Sequence, residues 1–129
     1  MKIILDGMGG DNAPASVVEG AVLASKEMEH EIVLIGQQEL IEKELKKYKY
    51  DEKKISIVDA REVITNDEAP VRAVRSKKDS SIVRGINMVK SGEGDIFISA
   101  GSTGALLSGG LFILGRIQGI DRPALASVY

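Results

Sequence analysis

The sequence of 129 residues contains no cysteine, no tryptophan and only one histidine, and these shortages exclude several kinds of site. Without cysteine there is no disulfide framework, no thiolate metal ligand and no cysteine nucleophile. A single histidine cannot by itself form a multi-histidine zinc site, so no metal site is expected. The 17 Lys+Arg and 19 Asp+Glu leave a formal net charge of −2. This near balance gives no electrostatic reason to expect nucleic acid as a partner.

Long apolar runs are also scarce. The N-terminal run 3–5 is interrupted by Asp6 and is too short for the core of a signal peptide. The longest apolar stretch, 104–114, falls well short of the roughly 20 residues that a membrane span requires. Because 43% of the residues are hydrophobic and 28% are charged, the composition is that of a folded globular protein that does not cross a membrane.

Four short apolar runs alternate with segments whose apolar residues recur at helical spacing. The runs predicted as buried strands are 3–5, 32–35, 55–58 and 96–98. Helical spacing recurs in 17–28, 40–48, 82–89 and 106–112, with a further helical turn expected to begin at Pro70. Strands that alternate with helices in this way form βαβ units. The sequence therefore predicts an α/β fold of three layers, a mainly parallel sheet with helices on both faces.

Some polar residues are placed to cap helices, and the chain ends in an unusual way. Asn12 is expected to cap the first helix, with Pro14 in its first turn. Ser80 or Ser81 is expected to cap a later helix. The final run, 125–129, looks like the start of a strand with nothing after it. We therefore expect the chain to be one α/β portion of a longer protein.

Glycine is abundant, with 14 residues or about 11% of the chain, where about 7% is usual. Five of them lie in two segments that follow predicted strands: the first glycine loop, residues 6–14, and the second glycine loop, residues 99–105. In open α/β sheets, ligands bind at the carboxyl ends of strands, where loops lead into helices. Both loops are therefore candidate parts of a binding site.

The second glycine loop has the character of an anion site. Its small residues leave main-chain N–H groups free to face an anion, and the N-terminus of the next helix adds about half a positive charge. Ser99, Ser102 and Thr103 supply hydroxyl groups. The loop lacks the Gly-Lys-[Ser/Thr] ending of a nucleoside-triphosphate loop, so ATP is not indicated. The pattern predicts binding of phosphate or a phosphate ester, and a plain tight turn remains the alternative.

The first glycine loop fits a different role. It lacks the third glycine of a dinucleotide fingerprint, because Asn12 stands at that position. No acidic residue directly follows the second strand to bind a ribose, so binding of a nicotinamide or flavin dinucleotide is not indicated. Asp6, Asp11 and Asn12 predict a polar pocket wall, and a turn that merely needs glycine is the alternative. The two carboxylates argue against close contact with phosphate by this loop alone, since like charges repel.

Cations concentrate in one segment, and the histidine is placed away from both loops. Arg72 and Arg75, three residues apart on a helical turn, share a face that suits a phosphate or an acidic partner, although such clusters are commonly solvated patches.

His30 lies between the first helix and the second strand, at the opposite end of its βαβ unit. With no cysteine and no placed Ser–His pair, a covalent acyl-enzyme has little support.

Five segments in a fixed order resemble one family. They are DGMGGDNAP at 6–14, DEAPVRAVR at 67–75, KKDSS at 77–81, SAGSTGA at 99–105 and GRIQGIDRP at 115–123. Together they resemble the N-terminal part of the bacterial phosphate acyltransferase (PlsX) family. The resemblance covers essentially all of residues 1–129 but less than half of the family protein, which continues well beyond Tyr129. It implies the three-layer fold of phosphotransacetylases and isocitrate dehydrogenases.

The resemblance implies a reaction in phospholipid synthesis. A long-chain acyl-[acyl carrier protein] and inorganic phosphate give an acyl phosphate and the free carrier, and the product passes to a glycerol-3-phosphate acyltransferase. The family also implies a cytoplasmic homodimer that attaches peripherally to the membrane through its C-terminal part. No organic cofactor is implied.

The same resemblance implies roles for residues of both loops and of the cationic segment. Phosphate or substrate binding is assigned to Gly9, Gly10, Ser99, Gly101, Ser102, Thr103 and Gly104. Asp11 and Asn12 are assigned to the acyl-thioester side as catalytic residues, with Asn12 donating to the oxyanion. Arg72, Lys77 and Lys78 are candidates for binding phosphate or the acidic carrier protein.

Four positions depart from the family pattern. The family often has Asn at Ser102, Ala at Gly7 and Lys or Arg at Ser76, and a Pro is usual at Ser127. Because the other wall of the cleft would come from the part beyond Tyr129, the resemblance predicts that the chain alone is inactive. Two alternatives stay open: a module that binds phosphate or acyl phosphate without turnover, and an inactive truncated fragment.

Overall fold

The structure is a computed structural model that describes residues 1–124 and 126. Its elements, in chain order, are β1 (Lys2–Asp6), α1 (Ala15–Glu27), β2 (Glu31–Gly36), α2 (Gln38–Leu45), β3 (Ile55–Asp59), α3 (Pro70–Ser76), α4 (Ser81–Lys90), β4 (Ile96–Ile98), α5 (Thr103–Gly109) and one π-helical turn (Gly110–Leu114). The four predicted strands and the predicted helices are confirmed, although α2 ends before Tyr48. The run expected at 125–129 lies outside the described residues, except for position 126.

All four strands are parallel, in the order β3-β2-β1-β4. Ile4 at the centre of β1 lies between Val33 of β2 and Phe97 of β4. From β1 the chain moves outward to β2 and β3, then crosses to the other side of β1 to form β4. The order therefore reverses between β1 and β4, which makes the crevice between their carboxyl ends a topological switch point.

Alternate residues of the inner strands face two separate cores. Ile32 and Leu34 of β2 pack against α1 and α2 and are 2% and 0% exposed. Val33 and Ile35 lie on the other face, in a cluster that α4 joins through Met88. Because strand side chains alternate between the faces, both sides of the sheet are apolar and both carry helices, as the sequence predicts.

The helix starts follow the sequence at α4 but not at α1. Ser80, fully buried, accepts a hydrogen bond from the N–H of Val83 at 3.2 Å and caps α4 as expected. The prediction that Asn12 caps α1 is wrong: the cap position is Pro14, with no side-chain hydrogen bond. The N–H of Ser16 donates to the main-chain oxygen of Asn12 at 3.1 Å, so the loop backbone already satisfies this donor. The Asn12 side chain is left exposed and outside the cap.

The apolar stretch near the C-terminus forms one helix in two parts. α5 passes directly into the π-helical turn, and Gly115, at φ +88°, ends the helix in the left-handed region that favours glycine. Phe112 and Leu114 on this turn are 52% and 49% exposed. Within residues 1–124 no helix, this one included, is long and apolar enough to cross a membrane.

Candidate functional site

The two glycine loops start side by side at the switch point. Leu5 of β1 lies beside Ile98 of β4 in the sheet register, so the next residues, Asp6 and Ser99, begin their loops together. The first loop leads to α1 on one face of the sheet, and the second leads to α5 on the other. Loops that diverge in this way leave a crevice between them, which is where open α/β sheets bind ligands.

Asp6 and Ser99 join the loops by hydrogen bonds. The Asp6 side chain is 1% exposed and accepts the hydroxyl of Ser99 at 2.7 Å and the N–H of Met8 at 3.0 Å. The Ser99 oxygen in turn accepts the N–H of Gly101 at 3.1 Å. Since the single hydroxyl proton of Ser99 is directed to Asp6, Ser99 supports the second loop here. Its contact with phosphate stays a prediction.

The loops also touch backbone to backbone. A Cβ added at Gly101 would lie 2.8 Å from the Cα of Gly9 and 3.1 Å from the nitrogen of Gly10. Gly10 itself adopts φ +98° and lies beside Ala100. Only residues without a Cβ allow this approach, so the structure brings together Gly9, Gly10 and Gly101, which the sequence resemblance assigned to one site.

The second loop turns into α5 through Ser102. This residue is 7% exposed, has φ +22° and caps the helix, its side chain accepting the N–H of Ala105 at 3.3 Å. Among residues 1–124 no acceptor pairs with the main-chain N–H groups of Ser102, Thr103 and Gly104. Three adjacent donors at the start of a helix are a favourable environment for an anion.

α3 packs against the second loop and carries Arg72. A Cβ added at Gly104 would lie 2.7 Å from the ring of Pro70, the first residue of α3. Arg72 lies in the same first turn and is exposed. Arg75, predicted to share its face, stacks over the ring of Phe112, 5.4 Å from the centroid. Arg72 and Arg75 nevertheless line one depression together, so they share a face as predicted, and no residue of the second glycine loop lines that depression.

Lys77 and Lys78 lie at the opposite end of α3, about 10 Å along the helix axis from its first turn. The Lys77 ammonium is 2.7 Å from a carboxylate oxygen of Glu68 and donates to the main-chain oxygen of Val63 at 2.9 Å. Lys78 is exposed and borders a shallow depression on α4 beside Arg84. The Lys77 ammonium is held by Glu68 and Val63, no hydrogen bond or ion pair among the described residues joins either cation to the glycine loops, and their binding roles stay predictions.

The contact between Lys77 and Glu68 makes the stability of this region depend on pH. The hydrogen bond from Lys77, followed by that from the N–H of Thr65, holds the pKa of Glu68 below its ordinary value. A carboxyl group whose pKa is lowered by folding stabilises the fold above its unfolded pKa. This stabilisation is lost as the pH falls through the folded pKa.

Lys77→Met is therefore expected to lower the melting temperature at neutral pH and to have a progressively smaller effect as the pH falls through the pKa of Glu68. The physical reason is that a protonated Glu68 no longer attracts the ammonium of Lys77. Melting curves of both proteins across the acid range measure the difference. A difference that stays constant down to the lowest pH would contradict the assigned contact.

His30 and the acidic residues form no metal centre in the described part of the chain. There, no three His, Asp or Glu side chains are grouped so that they could hold a metal ion. His30 lies just before β2, with its Nδ1 3.4 Å from the N-terminal amine. This position is at the amino ends of the strands, whereas the glycine loops leave the carboxyl ends.

Sequence reasoning missed two contacts that shape the site. It placed Asp6 in a pocket wall but did not identify Asp6 as the support of Ser99. It also missed that Pro70 packs on Gly104. The sequence signal for the contact between Asp6 and Ser99 was weak. Asp6 ends one predicted strand and Ser99 follows another, and a glycine follows each of them within two residues. That signal becomes specific only when the two strands are known to be neighbours.

Known proteins are similar to this chain over 98–100% of its length. A model of the family described as "Fatty acid synthesis protein" matches residues 1–129. The phosphate acyltransferase of Clostridioides difficile (strain 630) is 58% identical over 127 residues, which are 98% of this chain and 37% of the relative. The phosphate acyltransferases of Clostridium kluyveri and Alkaliphilus oremlandii are 59% and 56% identical, over 98% and 100% of this chain and 38% of each relative.

The chain thus spans less than two fifths of the length of these relatives. The family match extends from residue 1 to residue 129, and the three identities all exceed 55%. These findings confirm the resemblance seen in the sequence: the chain belongs to the fatty acid synthesis protein family, in which its relatives are named phosphate acyltransferase.

Proposed function

We propose that this chain forms part of the active site of an acyl-[acyl carrier protein]:phosphate acyltransferase, which makes acyl phosphate for phospholipid synthesis. The observation that carries the proposal is the meeting of the two glycine loops at the switch point. There, among residues 1–124, the N–H groups of Ser102, Thr103 and Gly104 have no acceptor. The names of the relatives support the same class of reaction.

Inorganic phosphate is the nucleophile in the proposed reaction. Held by the N–H groups of the second loop, hydrogen phosphate attacks the carbonyl carbon of the thioester through one of its oxygens. The oxyanion that forms collapses, the C–S bond breaks, and the proton of hydrogen phosphate ends on the carrier thiol. No protein nucleophile is needed, because the chain acts by positioning the anion and stabilising the charge that develops.

Residues of the first loop complete this part of the proposed site. Gly9 and Gly10 form the wall that faces the second loop, and Asp11 and Asn12 lie exposed just beyond them. The Asn12 amide is free of any capping role in α1, so it is available to donate to the oxyanion. Asp11 lines the acyl-thioester side.

Exposed cations fit the negative charge of the proposed substrates. Arg72 lies in the turn beside the second loop and suits phosphate. Lys78 suits the acidic carrier protein, and Lys77 does so less well because Glu68 already neutralises it. A cytoplasmic homodimer, peripheral membrane attachment and delivery of product to a glycerol-3-phosphate acyltransferase belong to the same proposal and rest on the family alone.

Because the chain spans 37% of the Clostridioides difficile relative, we expect other parts of the protein to complete the cleft and residues 1–129 alone to be inactive. The test is phosphate-dependent release of carrier thiol from palmitoyl-[acyl carrier protein]. The chain is compared with a form extended to the family's usual length, with the Clostridioides difficile relative as positive control.

Release of thiol by the extended form, and none by the chain alone, is the expected result. An extended form that binds phosphate and releases no thiol would contradict the acyltransferase proposal and identify a binding module. Release by the chain alone would contradict the division of the site between this chain and the rest of the protein.

A further inference from the structure

An apolar groove of about 590 Å³ runs along the open side of α5 and the π-helical turn. Its helical wall is lined by Thr103, Leu107, Leu111 and Leu114, and the facing segment contributes Ile117 and Ile120. Ile117 is 80% exposed and Ile120 is 50% exposed. A contiguous apolar surface that stays open to water marks a site where an apolar ligand or partner binds.

Two adjacent glycines distinguish the packed side of this helix from its open side. A Cβ added at Gly109 would lie 2.5 Å from the Cδ1 of Ile86, so this side of the helix packs tightly on α4. A Cβ added at Gly110, which lines the groove, would have no atom within 4 Å. The groove is therefore open at Gly110, and its helical wall is held by the packing of α5 on α4.

The groove begins at the proposed phosphate site. Thr103 lines the groove and also belongs to the second glycine loop, where its N–H is one of the three donors without an acceptor among residues 1–124. From Thr103 the helical wall extends about 16 Å to Leu114. An acyl phosphate is an anionic head on a long apolar chain, and its acyl-thioester precursor carries the same chain. The cavity volume lies in the range of about 300–1,000 Å³ found for small-molecule sites.

We propose that this groove binds the acyl chain of the substrate, with the carbonyl end at the second glycine loop and the chain end near Leu114 and Ile117. The inference rests on the proposed function and adds to it the place of the chain and the residues that limit chain length. Arg116 and Arg122 also border the groove. Arg116 donates to the main-chain oxygen of Asp121 at 2.6 Å. This hydrogen bond joins the two ends of the segment 116–121, which contributes Ile117 and Ile120 to the groove.

The test uses inorganic phosphate and a series of alkyl phosphates, from butyl to dodecyl phosphate, each kept below its micelle concentration. These probes keep the anionic head and vary the length of the chain without a reactive carbonyl. If the groove takes the chain, binding measured by calorimetry tightens with each methylene, by up to about fourfold. The gain stops at the chain length that reaches the end of the groove.

A matched pair of glycine substitutions locates the effect. Gly110 has helical torsion angles of φ −58° and ψ −45°, and a Cβ added there would have no atom within 4 Å, so Gly110→Phe places a ring in the groove without backbone strain. Gly20 in α1 also has no atom within 4 Å of an added Cβ, and it lines a second apolar groove of about 380 Å³ beside Val17 and Ile98. Gly20→Phe serves as the control, because it fills an apolar groove that no residue of the second glycine loop lines.

Gly110→Phe is expected to remove the dependence on chain length while leaving the affinity for inorganic phosphate unchanged, and Gly20→Phe is expected to change neither. An unchanged chain-length dependence in Gly110→Phe, or its loss in Gly20→Phe, would overturn the proposal. Phosphate binding with no gain from the alkyl chain would also overturn it. A chain effect that depends on Gly110, without any binding of inorganic phosphate, would instead count against the proposed phosphate site.

Discussion

Gly101→Ala is expected to destabilise the fold by about 2 kcal/mol and to weaken phosphate binding at least tenfold. The added Cβ would lie 2.8 Å from the Cα of Gly9 and 3.1 Å from the nitrogen of Gly10. A flexible side chain can rotate away from such a contact, but two main-chain atoms can move only if the loops separate, which typically costs about 1–3 kcal/mol. Urea denaturation and calorimetric titration with phosphate measure the two effects.

Gly20→Ala is the matched control for this substitution. Gly20 lies inside α1 with open space around it. Alanine there is expected to stabilise the fold by about 0.5–1 kcal/mol, because it lowers the conformational entropy of the unfolded chain. If Gly101→Ala unfolds at the same urea concentration as the unchanged protein, the backbone contact between the loops is not present in solution.

Asp6→Ala is expected to lower the free energy of unfolding by about 2–3 kcal/mol. The Asp6 side chain is 1% exposed and accepts hydrogen bonds from the Ser99 hydroxyl and the N–H of Met8. Alanine leaves the N–H of Met8 without an acceptor and the Ser99 hydroxyl with only the main-chain oxygen of Gly101, at 3.4 Å. A donor that stays buried without a good partner costs about 1–3 kcal/mol. Urea denaturation measures the loss, and amide signals of residues 99–104 report whether the second loop also loses its conformation.

Two further variants separate this effect from a general loss of charge. Asp6→Asn keeps an oxygen that can accept the N–H of Met8, so a smaller loss is expected. Asp67→Ala removes an exposed carboxylate and is expected to change the free energy of unfolding by no more than about 0.5 kcal/mol. Equal losses in Asp6→Ala and Asp67→Ala would contradict the role of Asp6 in joining the loops.

The elements of the fold could be predicted from the sequence, but the order of the strands could not. Runs 32–35 and 96–98 are both short and apolar, and such runs suit any position in a parallel sheet. Among the described residues β4 lies at an edge of the sheet, with Ile96 and Ile98 43% and 46% exposed. No local pattern distinguishes that position, so the pairing of β1 with β4 required the structure.

The candidate site shows the same division between local and tertiary information. Glycines after predicted strands indicated which loops to consider, because that signal is local. The partners of the cations were not predictable, since Lys77 contacts Glu68 and Arg75 stacks on Phe112 only after the chain has folded. The capping prediction for Asn12 failed because loop backbone atoms replaced its side chain, a choice that helix-capping preferences do not decide.

A phosphate titration followed by the amide signals of the ¹⁵N-labelled chain tests whether the second glycine loop binds the anion. Chloride holds the ionic strength constant. Gln38–Leu40, at the start of α2, serve as an internal control for changes that do not come from anion binding to free donors, because the N–H groups of Gln38 and Leu40 already have acceptors. We predict saturable shifts at residues 102–104, smaller shifts at the adjoining Gly9 and Gly10, and none at the start of α2. Equal shifts at both helix starts, or no saturable shift at residues 102–104, would contradict a phosphate site formed by the two glycine loops.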